Sequence, residues 1–326
     1  MPTPIITLKH VSRTFRVKRH LIKAVDDVSL SIGEGEIVCL VGESGCGKTT
    51  TGKMIAGLLA PSAGTIEFCD QAINQMARAA FRKYRLGVQM VHQDPYASLN
   101  PTQTIYDIIA APLRHHKFTR AGADTRARAR ELLTLVDMTP PDDFLDKFPH
   151  QLSGGQRQRV SIARALTVNP SFIVADEAVS MVDVSIRIGL LNLLTRFRDQ
   201  LGMSFLFITH DLALAKFFAW EGRIGVMYLG RLVELAPARD LIARPQHPYT
   251  QVLLSALPEA DPQVTRNKPR IELRSMDVPS LMRLPTGCAF HPRCSKFIGN
   301  VCERVVPELT AAHGAHVACH LIKPGP

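Results

Sequence analysis

No stretch of this 326-residue chain stays apolar for the roughly 18 residues a bilayer span needs, so none of it is expected to cross a membrane. The N-terminus lacks the charged-then-apolar pattern of a secretory leader, and the chain is expected to remain in the cytosol. No internal repeat appears, which argues against an array of stacked units. Disulfides are not expected from the seven cysteines in a reducing compartment. Aromatic residues are sparse and do not interleave with the scattered basic residues Arg120, Arg126, Arg128 and Arg130. The net charge of +10 therefore reads better as proximity to an anionic membrane face and a polyanionic nucleotide than as a nucleic-acid surface, with an ordinary solvated exterior as the plain alternative. Length and a hydrophobic content of 46% fit one large core plus an extension.

The most informative segment is Gly42-Glu43-Ser44-Gly45-Cys46-Gly47-Lys48-Thr49-Thr50. The apolar run Glu36 to Val41 leads into it as a buried strand, and Thr50 to Leu59 follows as a helix. Strand, glycine loop and helix together make a phosphate site. Glycines let the backbone wrap an anion so that several N–H groups point inward, and the helix adds its positive end. Lys48 reaches the outer phosphates. The Thr49 hydroxyl is a ligand for Mg²⁺.

Three further segments supply complementary chemistry. Leu152-Ser153-Gly154-Gly155-Gln156 precedes a helical pattern from Arg157 to Val168. Ser153 with Gln156 forms a capping box, which is either an ordinary helix start or a second anion site. The apolar strand Ser171 to Glu177 ends in two acids, Asp176 and Glu177. Paired acids leaving a buried strand are costly unless a cation and a reaction use them. Asp176 would hold Mg²⁺, and Glu177 would polarise an attacking water. The strand Ser204 to Thr209 ends at His210-Asp211, where His210 is placed to meet a γ-phosphate.

The order GESGCGKTT, QDPYASLNP, LSGGQRQR, the strand ending ADE, Asp183 and ITHD resembles the ATP-binding subunit of an ATP-binding-cassette (ABC) transporter over about residues 5 to 245. The resemblance implies an α/β fold of the P-loop NTPase type: a RecA-like core with a mostly parallel sheet, an antiparallel N-terminal β part, a helical subdomain at about 94–160 and a small irregular C-terminal extension. It implies that Gln93 senses Mg²⁺ and faces a membrane partner. Ser153, Gly154, Gly155 and Gln156 would contact the nucleotide of an opposite subunit, with Asp183 in the same interface, and Phe15 would stack on adenine. Glu177 and His210 would be the catalytic pair. Two such subunits pack head to tail, each ATP clamped between one loop of Gly42 to Thr50 and the other's Ser153 motif. One departure is Ala178, where relatives carry proline; its loss frees φ and restores an N–H.

Composition changes near residue 245, giving a cassette at 1–245 and an extension at 246–326. His247-Pro248-Tyr249-Thr250 with Leu253 to Pro258 resembles the tail of oligopeptide and dipeptide importers, a tail shared by nickel and some oligosaccharide (cellobiose-type) importers. Implied partners are two membrane permeases, a second cassette ATPase, identical or related, and an extracytoplasmic solute-binding protein, with the chain on the cytoplasmic side of the membrane. A soluble cassette ATPase acting on nucleic acid or ribosomes is the alternative of another class. It is disfavoured because one motif set and no coiled-coil insertion are present. A degenerate subunit is disfavoured because all the motif residues are there.

Cys39, Cys46 and Cys69 read as packed or loop residues. Cys288, Cys294, Cys302 and Cys319, spaced C-x₅-C-x₇-C-x₁₆-C, are candidate ligands. The run Gly287 to Cys294 resembles the importer tail in which four cysteines hold a four-iron, four-sulfur (4Fe-4S) cluster. Zn²⁺ and unmetallated thiols stay open, with His291, His313, His316 and His320 nearby and His316 or His320 as substitute ligands. A structural staple for a tail with little core is the simplest role.

Overall fold

The computed structural model describes residues 3–18, 20–120, 122–257, 263 and 271–322. Two long strands, β1 (Pro4–Val17) and β2 (His20–Gly33), pair antiparallel. The chain then makes β3 (Ile37–Val41) and returns with β4 (Ala63–Phe68) and β5 (Gln71–Ala72), completing a four-stranded sheet in the order β2-β1-β4-β5.

The second sheet adds β6 (Val88–Val91), β7 (Phe172–Asp176), β8 (Ser204–Ile208), β9 (Arg223–Tyr228), β10 (Arg231–Pro237), β11 (Thr310–Ala312) and β12 (Ala315–Val317), in the order β11-β12-β10-β9-β3-β8-β7-β6. From β9 to β6 all neighbours are parallel; β10, β12 and β11 extend the sheet antiparallel.

The parallel strands are buried on both faces, which is why their sequences read as unbroken apolar runs. Along β3, Ile37, Cys39 and Val41 enter one core while Val38 and Leu40 enter the other. β7 and β8 alternate likewise, with Ile173, Ala175, Phe205 and Phe207 on the first face and Phe172, Val174, Leu206 and Ile208 on the second. Each Val, Leu, Ile or Phe among them contributes about 1.5–3 kcal/mol by leaving water. The second core joins the N-terminal sheet to the central one, and the first joins it to the helices. Cys39 and Cys46 are buried in these cores, whereas Cys69 is exposed in the turn after β4.

Between β6 and β7 the chain is helical, with Ile105–His115, Ala123–Leu135 and Gly154–Leu166 as its main elements. The sequence pattern places the first of these at Thr102 to Ile109. It starts later because the Asn100 side chain holds Thr102 N–H in a turn, and Thr104 closes a capping box with Asp107. The helix after the glycine loop also ends sooner than Leu59. It spans Lys48–Ile55, and Gly57 then takes a left-handed φ of 64°.

The C-terminal segment is less irregular than its composition implies. Its β11–β12 hairpin joins the main sheet through β10, pairing Glu234 with Val317 and Leu235 with His316. Phe290, Cys294, Ala315 and Val317 belong to the helix-side core. Three-residue strands are too short for alternation to show in the sequence. The junction is fixed by Glu234, fully buried on β10, whose carboxylate accepts N–H bonds from Gln246 (2.8 Å) and His247 (2.9 Å). Burial pushes the Glu234 carboxyl up and the His247 imidazole down to about 3. Neutral His247 Nδ1 accepts Tyr249 N–H at 3.0 Å and caps the helix Pro248–Ser255.

Candidate active site

The glycine loop leaves the C-terminal end of β3, where parallel sheets place their ligands. Gly42, Gly45 and Gly47 have φ of 150°, 79° and 105°. A Cβ on Gly42 would lie 2.2 Å from Met227 O, and one on Gly47 2.3 Å from Ala24 O. At these two positions glycine is required by both dihedral and space. Lys48 Nζ donates to the carbonyl oxygens of Gly42 (2.7 Å) and Glu43 (3.0 Å), so the ammonium lies curled over the loop that it would share with phosphate.

Thr49 Oγ1 donates to Asp176 Oδ1 at 2.9 Å across 127 residues. Asp176 is 5% exposed; burial raises its pKa, the Thr49 bond lowers it, and neighbouring Glu177 raises it again. A hydroxyl and one carboxylate suit Mg²⁺, which keeps several waters and takes further ligands from phosphate oxygens. Lys53 adds positive charge on this side, and His92 lies close by. Burial and nearby Arg164 hold the His92 imidazole below its usual range. Neither residue stood out in the sequence.

Glu177 sits at the centre of the remaining groups. Its φ of 46° is left-handed, and its N–H donates to Ile208 O at 2.9 Å, which turns the side chain off the end of β7. Its Oε2 accepts Gln93 Nε2 at 2.8 Å, and its Oε1 meets His210 Nδ1 at 3.2 Å. Gln93, Glu177 and His210 come from the ends of β6, β7 and β8, so three adjacent strands assemble the group next to the Thr49–Asp176 pair. Ala178 is buried directly behind it, and Ser180 N–H and Oγ both donate to Glu177 O.

Ser153 caps the helix Gly154–Leu166 with the expected reciprocal bonds: Gln156 N–H to Ser153 Oγ at 3.2 Å, and Ser153 N–H to Gln156 Oε1 at 3.0 Å. Gly155 is tight against Ile186, 2.7 Å from a virtual Cβ. Among the described residues no hydrogen bond joins this motif to residues 42–50 of the same chain. Asp183 is exposed at the start of the helix Val184–Leu201, between exposed Met181 and Val184. Phe15 is half-buried on β1, and Arg13 lies over its ring at 4.8 Å.

Two residues touching the loop were illegible in the sequence. Tyr249 Oη accepts Glu43 N–H at 3.1 Å, and Arg293 Nη1 donates to both Glu43 oxygens at 2.9 and 3.0 Å. Cys288, Cys294, Cys302 and Cys319 line one small cavity with His247, His291 and His320; His316, on β12, is not among its walls. All four thiols are unbridged. Burial, followed by the neighbouring thiols, pushes Cys288 up to about 11, and burial raises Cys294 and Cys319 too. Among the described residues, no three His, Cys, Asp or Glu side chains are arranged to hold a metal ion.

Residues 25–180 match the family described as ABC transporter, and residues 233–302 match the oligopeptide/dipeptide transporter C-terminal region. The chain is 41% identical to the oligopeptide transport ATP-binding protein AppF of Bacillus subtilis, covering 97% of each. It is 46% identical to a putative peptide import ATP-binding protein of Brucella abortus, covering 93% of this chain and 88% of the relative. Its fold is similar to a dimeric ATP-binding cassette solved in a post-hydrolysis state with ADP and phosphate (TM-score 0.65, 31% identity, 72% of this chain and 99% of that one).

Proposed function

Since the chain belongs to the ABC transporter family of ATP-binding subunits, we propose that it hydrolyses ATP to power import of di- and oligopeptides through membrane permeases. The observation that carries this reading is the Glu177 group, with Gln93 and His210 on its two oxygens, beside the Thr49–Asp176 pair. Lys48 leaves the loop carbonyls for the outer phosphates, and the loop amides cradle the rest. Thr49 and Asp176 would hold Mg²⁺, which neutralises phosphate charge when bound. Glu177 takes the proton of the attacking water, while Gln93 and His210 hold its carboxylate in place. Phe15 would receive adenine once Arg13 moves off its ring.

Among the described residues the Ser153 helix start bonds only within its own cap and makes no hydrogen bond to residues 42–50, so the nucleotide it would meet is that of a second cassette subunit. The exposed apolar side chains Met181 and Val184 beside Asp183 support such a joint. A groove lined by Arg82, Gln89, Asn100, Gln103 and His116, between β6 and the helical segment, is suited to a permease loop. No helix among the described residues is long and apolar enough to cross a membrane. The chain would work from the cytoplasmic face, with residues 1–245 as the nucleotide-binding domain, its helical part at about 94–160, and 246–326 as an extension; an extracytoplasmic binding protein would deliver cargo. The relatives named for peptides favour that cargo over oligosaccharide or nickel. Purified with its permeases, the chain should hydrolyse ATP faster with peptide-loaded binding protein than with sugar- or nickel-loaded protein. An equal response to all three would overturn the cargo, and no hydrolysis would overturn the whole reading.

Within this reading the four tail cysteines, which line one small cavity, would hold a 4Fe-4S cluster, with Zn²⁺ as the alternative. Bound, the cluster would act as a covalent staple for the turns around Cys288 and Cys302. The anaerobically purified chain should be brown with about four irons per chain, and the Cys288→Ser chain colourless. Stoichiometric zinc with no iron would point to the other metal.

A further inference from the structure

We propose that Arg293 and Tyr249 are positioning residues through which the C-terminal extension sets the charge and shape of the phosphate loop, and so tunes nucleotide affinity. The inference rests on the ATP-binding reading above and adds to it a control point outside the cassette motifs.

A carboxylate inside a loop that receives a triphosphate is a liability, since like charges repel strongly where water is scarce. Glu43 is such a residue, one position after Gly42. Arg293, 250 residues away, meets it with one nitrogen shared by both carboxylate oxygens. The Arg293 side chain is 7% exposed and that of Glu43 30%, so this pair is screened less than a surface pair. The same Nη1 lies 3.4 Å from Tyr228 Oη, and the guanidinium stands over the rings of Tyr228 and Phe290. Tyr228, Tyr249 and Phe290 are mutually packed, with centroids 4.6–5.3 Å apart. The cation is thus held by a buried aromatic wall.

Tyr249 acts on the backbone of the same residue. Its Oη accepts the Glu43 N–H and so fixes the orientation of that peptide in the loop. Glu43 O is also one of the two carbonyls that hold Lys48. A single loop residue therefore carries the influence of two tail side chains onto the phosphate-binding lysine. Arg293 adjoins Cys294 in the turn that begins at Cys288, so the cysteine-bearing turn and the nucleotide loop are coupled, and the coupling is reciprocal.

The test is titration of the full chain with trinitrophenyl-ATP, with KM and kcat from the permease complex. Arg293→Gln unmasks Glu43 and should weaken binding and raise KM about tenfold, leaving kcat within about twofold. Adding Glu43→Gln to that chain removes the unmasked charge and should recover most of the affinity. A purely structural role for Arg293 would leave the double variant as weak as the single one, and that result, or an unchanged Arg293→Gln, overturns the proposal. Should Arg293→Gln not fold, Tyr249→Phe, which loses one oxygen, should still weaken binding about threefold; unchanged affinity there is equally fatal. If the unsubstituted chain binds no more tightly than Lys48→Ala, the ATP-binding reading itself fails, which separates the two ideas.

Discussion

A chain carrying Glu177→Gln should bind ATP about as tightly as the parent and hydrolyse it about 10²- to 10⁴-fold more slowly, the usual contribution of a positioned base. Glutamine keeps the shape of the side chain, so the neighbours Gln93 and His210 retain a partner, but it cannot take a proton from water. Asp176 stays in place with Thr49, so the proposed cation site survives. With hydrolysis stalled, ATP holds two subunits together, and the variant should accumulate as an ATP-bound dimer in size-exclusion chromatography. Single-turnover hydrolysis within tenfold of the parent would remove Glu177 from the role of base.

The second large effect concerns Gly47. Alanine there must accept a φ of 105° and place its Cβ 2.3 Å from Ala24 O. Backbone, not a flexible side chain, is in the way. Strain of this kind costs about 1–3 kcal/mol before the clash is counted. The loop must shift just where Lys48 and Thr49 begin the helix, and ATP affinity should fall about 100-fold. Gly45→Ala is the control, since φ is 79° there but nothing lies within 4 Å of the new Cβ; its loss should be far smaller. Nucleotide titration with a thermal melt of each variant checks this, and equal losses would show that space at Gly47 does not matter.

Much of this architecture was legible in the chain. Strands expected at Glu36–Val41, Ser171–Glu177 and Ser204–Thr209 are found at Ile37–Val41, Phe172–Asp176 and Ser204–Ile208, because a parallel sheet buried on both faces writes its position as apolar runs. The Ser153–Gln156 cap was readable because its bonds are local. The Thr49–Asp176 pair was readable only through its chemistry. What stayed hidden is long-range and non-periodic. No spacing rule links Glu43 to Arg293 or Tyr249, and the tail segments holding them carry no alternation. His92 was hidden too, as one more polar residue after a strand.

The β12 strand covers the outer edge of β10. A version of the chain clipped after residue 245 would lose that cover and present bare main-chain donors and acceptors around Val233–Leu235. It would also deprive Glu234 of both amides that hold its carboxylate. An open ribbon of this kind invites strands from other molecules, so the trimmed cassette should be sticky and poorly soluble rather than merely slower.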